Sequence, residues 1–189
     1  MTTPRENLLR TMRRQGFETV PVSLGLCPAQ VAAFQKRFGH DDYVSYFKVP
    51  LRYCHVGLRP TFASPARLYP RERLPEDTTF NDWGIGSSHQ AGCYHMTHMH
   101  HPLAGDATLD EIRRYPFPEI RGDAQELLQK TVNDLHRLGL AAMGGMACTV
   151  WETAWYLRSM EDLMADMMVG DERAVVHLDR ITELACQRI

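Results

Sequence analysis

The sequence predicts an α/β fold with a parallel sheet, in which amphipathic helices connect buried strands. The first observation is that short apolar segments at 20–24 and 140–146 alternate with longer segments of helical periodicity. This alternation is typical of βα units. The second is that residues 80–85 and 89–99 read as two extended arms joined through glycines and serines at 84–88. These arms predict a β-hairpin inserted into the α/β scaffold.

Three helix starts carry the same capping signal. A threonine or an aspartate stands three residues before a glutamate at Thr3, Thr108 and Asp123. The capping oxygen accepts a hydrogen bond from the third helical amide, and at both threonines the glutamate reaches back to the amide of the capping residue. Pro4 adds a residue that is favoured at the first helical position. We therefore expect helices to begin after these three residues.

The remaining elements follow from apolar periodicity and from glycine and proline boundaries. Further helices are predicted at 28–38, 41–47 and 149–168, and a last helix begins at Asp171. The helix that follows Asp123 is expected to stop at Gly139. Five prolines favour extended chain and loop over 49–80, and residues 115–121 read as a rigid linker.

Two of these helices carry predictions about which face is buried. In the last helix, the inward face is expected to hold Val175, Leu178, Ile181 and Ala185. In the helix before it, an apolar stripe expected to pack into the core is formed by Met160, Met164, Met167 and Met168. Asp162 and Asp166 lie four residues apart and are expected on a solvated face.

Composition bounds the function classes. The chain has 189 residues, of which 44% are hydrophobic and 23% are charged, with a net charge of −2. This balance fits one globular domain and gives no support to a nucleic-acid or anionic-membrane partner. No apolar run approaches the roughly 20 residues of a membrane-spanning helix, and the N-terminus has no signal-peptide pattern. The sequence therefore predicts a cytoplasmic protein.

The cysteine pattern disfavours disulfides and structural zinc. Five cysteines are widely spaced, and none forms a C-x-x-C pair. Reduced thiols are the expectation for a chain of this kind.

The predicted strands are too few for a closed barrel. About three core strands fit the pattern, whereas a (β/α)₈ barrel takes roughly 250 residues. The chain also ends inside the last helical pattern without a final cap. We therefore expect the 189 residues to be part of a longer protein.

Six short motifs, taken together, resemble a known family. They are R-E-N-L-L-R-T-M at 5–12, V-P-V at 20–22, D-W-G-I at 82–85, H-P-L-A at 101–104, Y-P-F-P at 115–118 and W-E-T-A-W-Y-L-R-S-M-E-D-L at 151–163. Their order and spacing resemble the N-terminal half of the uroporphyrinogen decarboxylase superfamily. That superfamily also contains methyltransferases that move methyl groups between corrinoid proteins and thiols.

The resemblance implies the N-terminal half of a TIM (β/α)₈ barrel with a β-hairpin insertion and an active site at the carboxyl ends of the strands. The chain is then a single partial domain. Residues 1–79 supply the first βα units and a loop, 80–102 the β-hairpin, and 103–189 further βα units.

The motifs favour the methyltransferase-like branch over true decarboxylases. Decarboxylases carry an R-Q-A-G-R segment whose arginines hold the substrate's carboxylates, and the matching residues 24–30 contain no arginine. The nearest alignment puts Lys48 where decarboxylases have a strand-end aspartate that accepts from pyrrole N–H groups, which a lysine cannot do. Tyr156, however, matches the decarboxylases' pocket tyrosine. Uroporphyrinogen decarboxylase, a carboxy-lyase of porphyrin biosynthesis, is therefore the alternative.

The resemblance also implies the cofactor and the partners. In the methyltransferase-like branch, a zinc ion bound by one histidine and two cysteines activates the thiol, and these ligands belong to the C-terminal half of the family's barrel. We therefore expect no cofactor in this chain, which alone is expected to be inactive, and a small-molecule or corrinoid-protein substrate. A third hypothesis is a non-catalytic half-barrel that pairs with itself or with a complementing half-barrel through an open sheet edge.

Tyr156 and Glu152 are the candidate catalytic residues, and Cys27, Trp83 and His101 are candidates for substrate binding. Glu152 and Tyr156 share a helical face. The Glu152 carboxylate either binds substrate or acts as an acid or base, or it interacts favourably with the positive end of the helix dipole. Cys27 follows a predicted strand and precedes a helix, a position that forms the active-site rim of a barrel. It is either a reactive thiolate at that rim or a small residue that fills a loop. Trp83 is a stacking wall or a structural pin. His101, in H-P-L-A, leads from the hairpin into the next helix.

A histidine-rich segment lies beside H-P-L-A. In a regular strand, Cys93 and His95 share one face, and His98 and His100 share the other. The spacing His98-x-His100 is the best metal pair there, but ordinary sheet surface is the favoured reading, and no metal is assigned. We interpret the segment as a strand near an active-site mouth that shuttles protons or lines a pocket.

Overall fold

The computed structural model describes residues 2–92, 98–146 and 149–189. Within them the predicted mixed α/β class is confirmed, and the strands form small sheets that close no barrel. The described helices are α1 Pro4–Met12, α2 Pro28–Phe38, α3 Tyr43–Tyr46, α4 Leu109–Arg114, α5 Ala124–Arg137, α6 Trp151–Arg158, α7 Met160–Val169 and α8 Glu172–Gln187. The described strands are β1 Leu51–Cys54, β2 Leu58–Arg59, β3 Thr79–Phe80, β4 Gly86–Ser88, β5 His98–His100, β6 Glu119–Ile120 and β7 Ala141–Gly144.

The chain folds into two compact units. Unit 1 consists of Met1–Val56 and Gly122–Gly145, and unit 2 consists of Gly57–Arg121 and Met146–Ile189. In the part of the chain that is described, no helix combines the length and the apolar character needed to cross a membrane.

Unit 1 contains a parallel strand pair, of which the sequence predicts β7 as a strand and β1 only as part of an extended and loop region. β1 pairs with β7 in the register Leu51 to Ala141 and Cys54 to Gly144. α5 precedes β7 and stops where predicted, at Gly139, whose φ is 69°. The apolar residues Val49, Leu51 and Ala141 form the buried core beside this pair.

The predicted first strand at 20–24 is wrong. These residues form no strand, and the side chains of Val20 and Val22 are exposed. Buried Asn7 instead holds the preceding residues as a loop, because its side-chain amide donates to the Thr19 carbonyl and its oxygen accepts from the Glu18 amide. Pro21 has no amide to donate to a neighbouring strand.

Unit 2 contains a three-stranded antiparallel sheet in the order β3-β4-β5 where a two-armed hairpin was predicted. Residues 86–88, predicted as the connection, are the central strand. The predicted arm at 80–85 turns early because Asn81 Oδ1 accepts from the amides of Trp83 and Ile85. Of the predicted arm at 89–99, residues 93–97 lie outside the described residues, and 98–99 begin β5.

The predicted linker at 115–121 also contains a strand, because β6 pairs with β2 in antiparallel register. The prediction of extended chain and loop over 49–80 is correct except for one 3₁₀ turn at Pro65–Leu68.

The helical region predicted at 149–168 is divided into α6 and α7 by Ser159, whose φ is 71°. The prediction for α7 is wrong on both faces, since its methionines are exposed at positions 160, 164, 167 and 168 and Asp166 is buried. In α8, Val175 is exposed, and the buried residues are Ala174, His177, Ile181, Leu184 and Ala185. Ile181 and Ala185 are thus buried as predicted, whereas Ala174 takes the buried position that was predicted for Val175.

Two of the three predicted caps are complete. Thr3 accepts from the Glu6 amide at 3.2 Å, and Thr108 accepts from the Glu111 amide at 3.2 Å, with the glutamate returning the bond in each. Asp123 precedes α5 as predicted, but its side chain makes no capping bond to this helix. Its φ of −96° and ψ of 5° depart from the extended conformation that a capping side chain needs.

Candidate functional site

The five candidate residues divide between the two units. Cys27 belongs to unit 1, and Trp83, His101, Glu152 and Tyr156 belong to unit 2.

His101 and Tyr156 lie together. The Nδ1 atom of His101 is 2.8 Å from the backbone carbonyl of Tyr156. A carbonyl only accepts, so this nitrogen carries the proton, and in the neutral ring the other nitrogen, Nε2, is left as an acceptor. The indole of Trp155 contacts both neighbours, with ring centroids 6.4 Å from His101 and 4.2 Å from Tyr156. The structure thus joins two candidates that are 55 residues apart in the chain.

Glu152 stands exposed in the first turn of α6, and Tyr156 follows one turn later, half-buried. The residues between them include Thr153 and Ala154, which are buried against the body of unit 2. Glu152 therefore presents its carboxylate to solvent, while Tyr156 lies at the border of the core.

Trp83 is half-buried, and its contacts are those of a packing residue. Its backbone carbonyl accepts from the Tyr115 hydroxyl at 2.6 Å, and its ring meets Phe117 edge-on at 5.3 Å. Both contacts fix the turn between β3 and β4, which favours the structural reading.

Cys27 is half-buried at the start of α2. Its backbone amide donates to Gln30 Oε1 at 3.1 Å. The Gln30 side chain reaches back from the first turn of α2 to the residue that precedes it. The contact therefore stabilises the start of the helix and does not indicate a ligand site.

The carboxyl end of β1 holds a residue that sequence reasoning missed. His55 follows the last residue of β1, and its Nδ1 lies 2.7 Å from the carbonyl of Gly145, which follows β7. A Cβ on Gly145 would lie 2.4 Å from His55 Cε1, so only glycine leaves room for this ring. Lys48, which the nearest alignment matches to a strand-end aspartate, stands in a turn before β1 and not at the end of a strand.

A second missed group connects three side chains of unit 2. Ser88 Oγ is 2.8 Å from His100 Nε2, and His100 Nδ1 is 2.5 Å from Glu72 Oε1. Both nitrogens of His100 are thereby engaged, which removes it from the His98-x-His100 metal pair, although the two rings meet edge-on at 4.7 Å. Cys93 and His95, which the sequence places on the other face of this strand, lie outside the described residues.

Within the described residues, no three histidine, cysteine or acidic side chains converge as a metal site would require. The zinc that the family resemblance implies has no fitting donor set among them, so no chemical step is assigned through it.

Comparison of the chain with protein-family models, with curated proteins and with solved structures finds no match.

Proposed function

We propose that this chain is a uroporphyrinogen decarboxylase superfamily protein of the methyltransferase-like branch, forming the N-terminal half of a TIM barrel with a β-hairpin insertion. The observation that carries the proposal is that four of the motifs behind the resemblance contact one another within unit 2. Each of the four motifs supplies side chains to the core of unit 2.

The first meeting joins H-P-L-A to the motif on α6. The amide of Leu103 donates to the carbonyl of Leu157 at 2.9 Å, and the guanidinium of Arg158 donates to the carbonyl of Leu103 at 2.5 Å. Together with the contact between His101 and Tyr156, these bonds connect the two motifs at three points. Arg158 is almost fully buried, so its hydrogen bond to the Leu103 carbonyl is shielded from solvent. A hydrogen bond from a charged donor is stronger than one from a neutral donor.

The second meeting joins Y-P-F-P to D-W-G-I. The Tyr115 hydroxyl donates a hydrogen bond to the Trp83 carbonyl, and the Phe117 ring contacts the Trp83 ring edge-on. Arg180 of α8 then donates to the carbonyl of Tyr115 and stacks on the Phe117 ring at 4.1 Å. These contacts join the two motifs and α8 in the core of unit 2.

Unit 1 supplies the barrel-like feature. β1 and β7 are parallel, and α5 runs before β7 as the helix of a βα unit does. In TIM barrels the carboxyl ends of the strands carry catalysis, and His55 stands at that end of β1. We add His55 to the candidate residues for this reason.

In the proposed reaction, zinc and the methyl-accepting thiol belong to the part of the family's barrel that this chain does not resemble. The roles left to this chain are to bind and orient a corrinoid or a small methylated substrate. Tyr156 offers a hydroxyl that both donates and accepts, and Glu152 offers a carboxylate that takes a proton or an amide N–H. His101 holds the Tyr156 backbone in place.

Binding to the full chain tests the proposal. Methylcobalamin and uroporphyrinogen are titrated separately while tryptophan fluorescence is followed, because Trp155 contacts Tyr156. We expect methylcobalamin to bind, and Tyr156→Phe and Glu152→Gln each to weaken binding by roughly tenfold, the effect of one lost hydrogen bond of about 1.4 kcal/mol. Tyr46→Phe, on an exposed tyrosine of unit 1, is the control and should leave binding unchanged.

Uroporphyrinogen decarboxylase is the second candidate, and the matched pocket tyrosine, Tyr156, favours it. Tighter binding of uroporphyrinogen than of methylcobalamin by the chain would favour decarboxylation over methyl transfer. A chain that binds neither compound would contradict both candidates and leave the partner-binding half-barrel, which the exposed Val20 and Val22 favour.

A further inference from the structure

We propose that Ser88, His100 and Glu72 form a nucleophile, base and acid relay that cleaves small carboxylic esters. Neither the resemblance nor the proposed methyl transfer uses these residues. The relay differs from the strand-end candidates in its position, its chemistry and its need for no metal or cofactor.

The hydrogen bonds of the relay fix the proton positions. The Glu72 carboxylate only accepts, so the 2.5 Å contact places the proton of neutral His100 on Nδ1. Nε2 then has a free lone pair, and the 2.8 Å contact makes the Ser88 hydroxyl its donor. This is the tautomer that a serine nucleophile needs, with a base ready to accept its proton and a carboxylate behind the base.

Adjacent strands position the serine and the histidine. β4 and β5 are antiparallel with Gly86 opposite His100 and Ser88 opposite His98, so Ser88 and His100 are diagonal neighbours. A Cβ on Gly86 would lie 3.2 Å from the Cβ of His100, so the glycine lets β4 pack closely against the histidine. The Tyr69 hydroxyl accepts from the Gly86 amide and faces the carbonyl of His100 at 2.9 Å, which ties the two strands together.

The burial of the relay indicates the substrate class. Ser88 is 4% exposed and His100 is 3% exposed, whereas the Glu72 side chain is 42% exposed. So little accessible surface at Ser88 excludes a folded polypeptide and restricts the substrate to a small ester. Hydrogen bonds in such a dry site are also stronger than in water.

The reaction balances without a further reagent. Ser88 Oγ attacks the ester carbonyl carbon while His100 Nε2 takes the hydroxyl proton, and His100 returns that proton to the leaving alcohol as the ester C–O bond breaks. Water then attacks the acyl-serine with His100 again accepting the proton. Ser88 regains its hydrogen as the carboxylic acid leaves.

The test uses the full chain with p-nitrophenyl acetate and with a small alkyl fluorophosphonate. We expect hydrolysis above the buffer rate and one phosphonate adduct, which peptide mass mapping locates at Ser88. Ser88→Ala should abolish the adduct, and His100→Gln should slow hydrolysis by roughly a hundredfold or more, the scale of a lost general base. Ser87→Ala, in β4, and His89→Gln, at an exposed residue just after β4, are the controls and should retain adduct and rate.

Glu72 acts through His100, so its test must separate positioning from folding. Glu72→Gln should lower the rate at least roughly tenfold, since the amide can turn its N–H toward Nδ1 and favour the wrong tautomer. Glu72→Asp should recover part of this loss at the same thermal stability. A purely structural strut predicts loss of stability with no such recovery of rate.

Ser88→Cys guards against a Ser88→Ala chain that fails to fold, because the thiol keeps the size of the site and should trap the acetyl group as a thioester. An unlabelled wild-type chain, a label on another residue, or hydrolysis that survives in Ser88→Ala would overturn the proposal.

Discussion

His177 lies on the inner face of α8 with 1% of its surface exposed. Its Nε2 is 3.0 Å from the Ala154 carbonyl, so this nitrogen donates, and Nδ1 has no partner in the part of the chain that is described. Burial lowers the pKa of this imidazole below its usual 6.5. The folded protein therefore keeps His177 neutral where the unfolded chain takes up a proton.

The consequence is a pH-dependent stability with a defined sign. Because the unfolded state binds the proton more readily, the free energy of unfolding decreases as the pH falls below about 6.5 and levels off below the folded pKa. His177→Gln should flatten this part of the profile relative to wild type in urea titrations between pH 7.5 and 5. His89→Gln, at an exposed residue after β4, should keep the wild-type slope, and a variant at 177 with that slope would contradict the prediction.

Tyr69 carries a second prediction at the level of a single residue. Its buried hydroxyl accepts from the Gly86 amide at 2.7 Å and faces the carbonyls of Gly84 and His100, and burial raises its pKa so that it stays protonated. Tyr69→Phe leaves these backbone groups without that partner and should lower the free energy of unfolding by about 1–3 kcal/mol in urea titration. Tyr53→Phe, on an exposed strand residue, should change it by no more than about 0.5 kcal/mol.

The sequence predicted residues whose neighbours are local and missed those whose partners are distant. Glu152 and Tyr156 share a helix, so their spacing alone places them on related faces. Ser88 and Glu72 stand 12 and 28 residues from His100, and their contacts depend on a strand at 86–88 that the sequence presented as a turn. No periodicity in the chain reports such a pairing.

At the scale of elements, α7 shows how one buried charge determines which face of a helix packs into the core. Asp166 receives Arg158 at 3.0 Å and Arg173 at 2.8 Å, and Arg158 also donates to the carbonyls of Leu103 and Gly105. The helix turns Asp166 inward to meet these cations, and its methionines consequently face outward. Hydrophobic patterning alone cannot find this, because it ranks methionine inside and aspartate outside.

Removing one partner of this buried network should be costly. Asp166→Ala leaves two guanidinium groups without their shared carboxylate, and we expect the free energy of unfolding to fall by about 3–5 kcal/mol. Asp179→Ala, on the exposed side of α8, should cost no more than about 0.5 kcal/mol in the same urea titration. Equal effects of the two substitutions would show that the network adds little.

Helix positions were predicted well because their signals are contained in a few residues. The capping boxes at Thr3 and Thr108 and the glycines at 39 and 139 mark helix ends by local backbone chemistry. Strand 20–24 failed because a strand needs a partner, and the Asn7 bonds to residues 18 and 19 outcompete pairing there. The parallel strand at 141–144 succeeded because β1 supplies its partner.

At the scale of the whole molecule, the two units differ in how completely they bury apolar side chains. Unit 2 holds the fully enclosed residues Ala107, Ile112, Ala154, Leu157, Leu163 and Ile181, all at 0% exposure. The core of unit 1 rests on Val49, Leu51 and Ala141, each with some remaining exposure. Apolar burial is the main favourable term of folding, so the opening free energies of the two units should differ.

Native-state hydrogen exchange measures this difference directly. We expect amides of β1 and β7 to exchange through openings of lower free energy than amides of α6 and α8, because fewer enclosed side chains hold the former. Leu157→Ala removes a side chain at 0% exposure and should lower the opening free energy of α6 and α8 by about 2–5 kcal/mol. Leu127→Ala, on the exposed face of α5, is the matched control. Equal protection across both units in wild type would contradict the inference from burial.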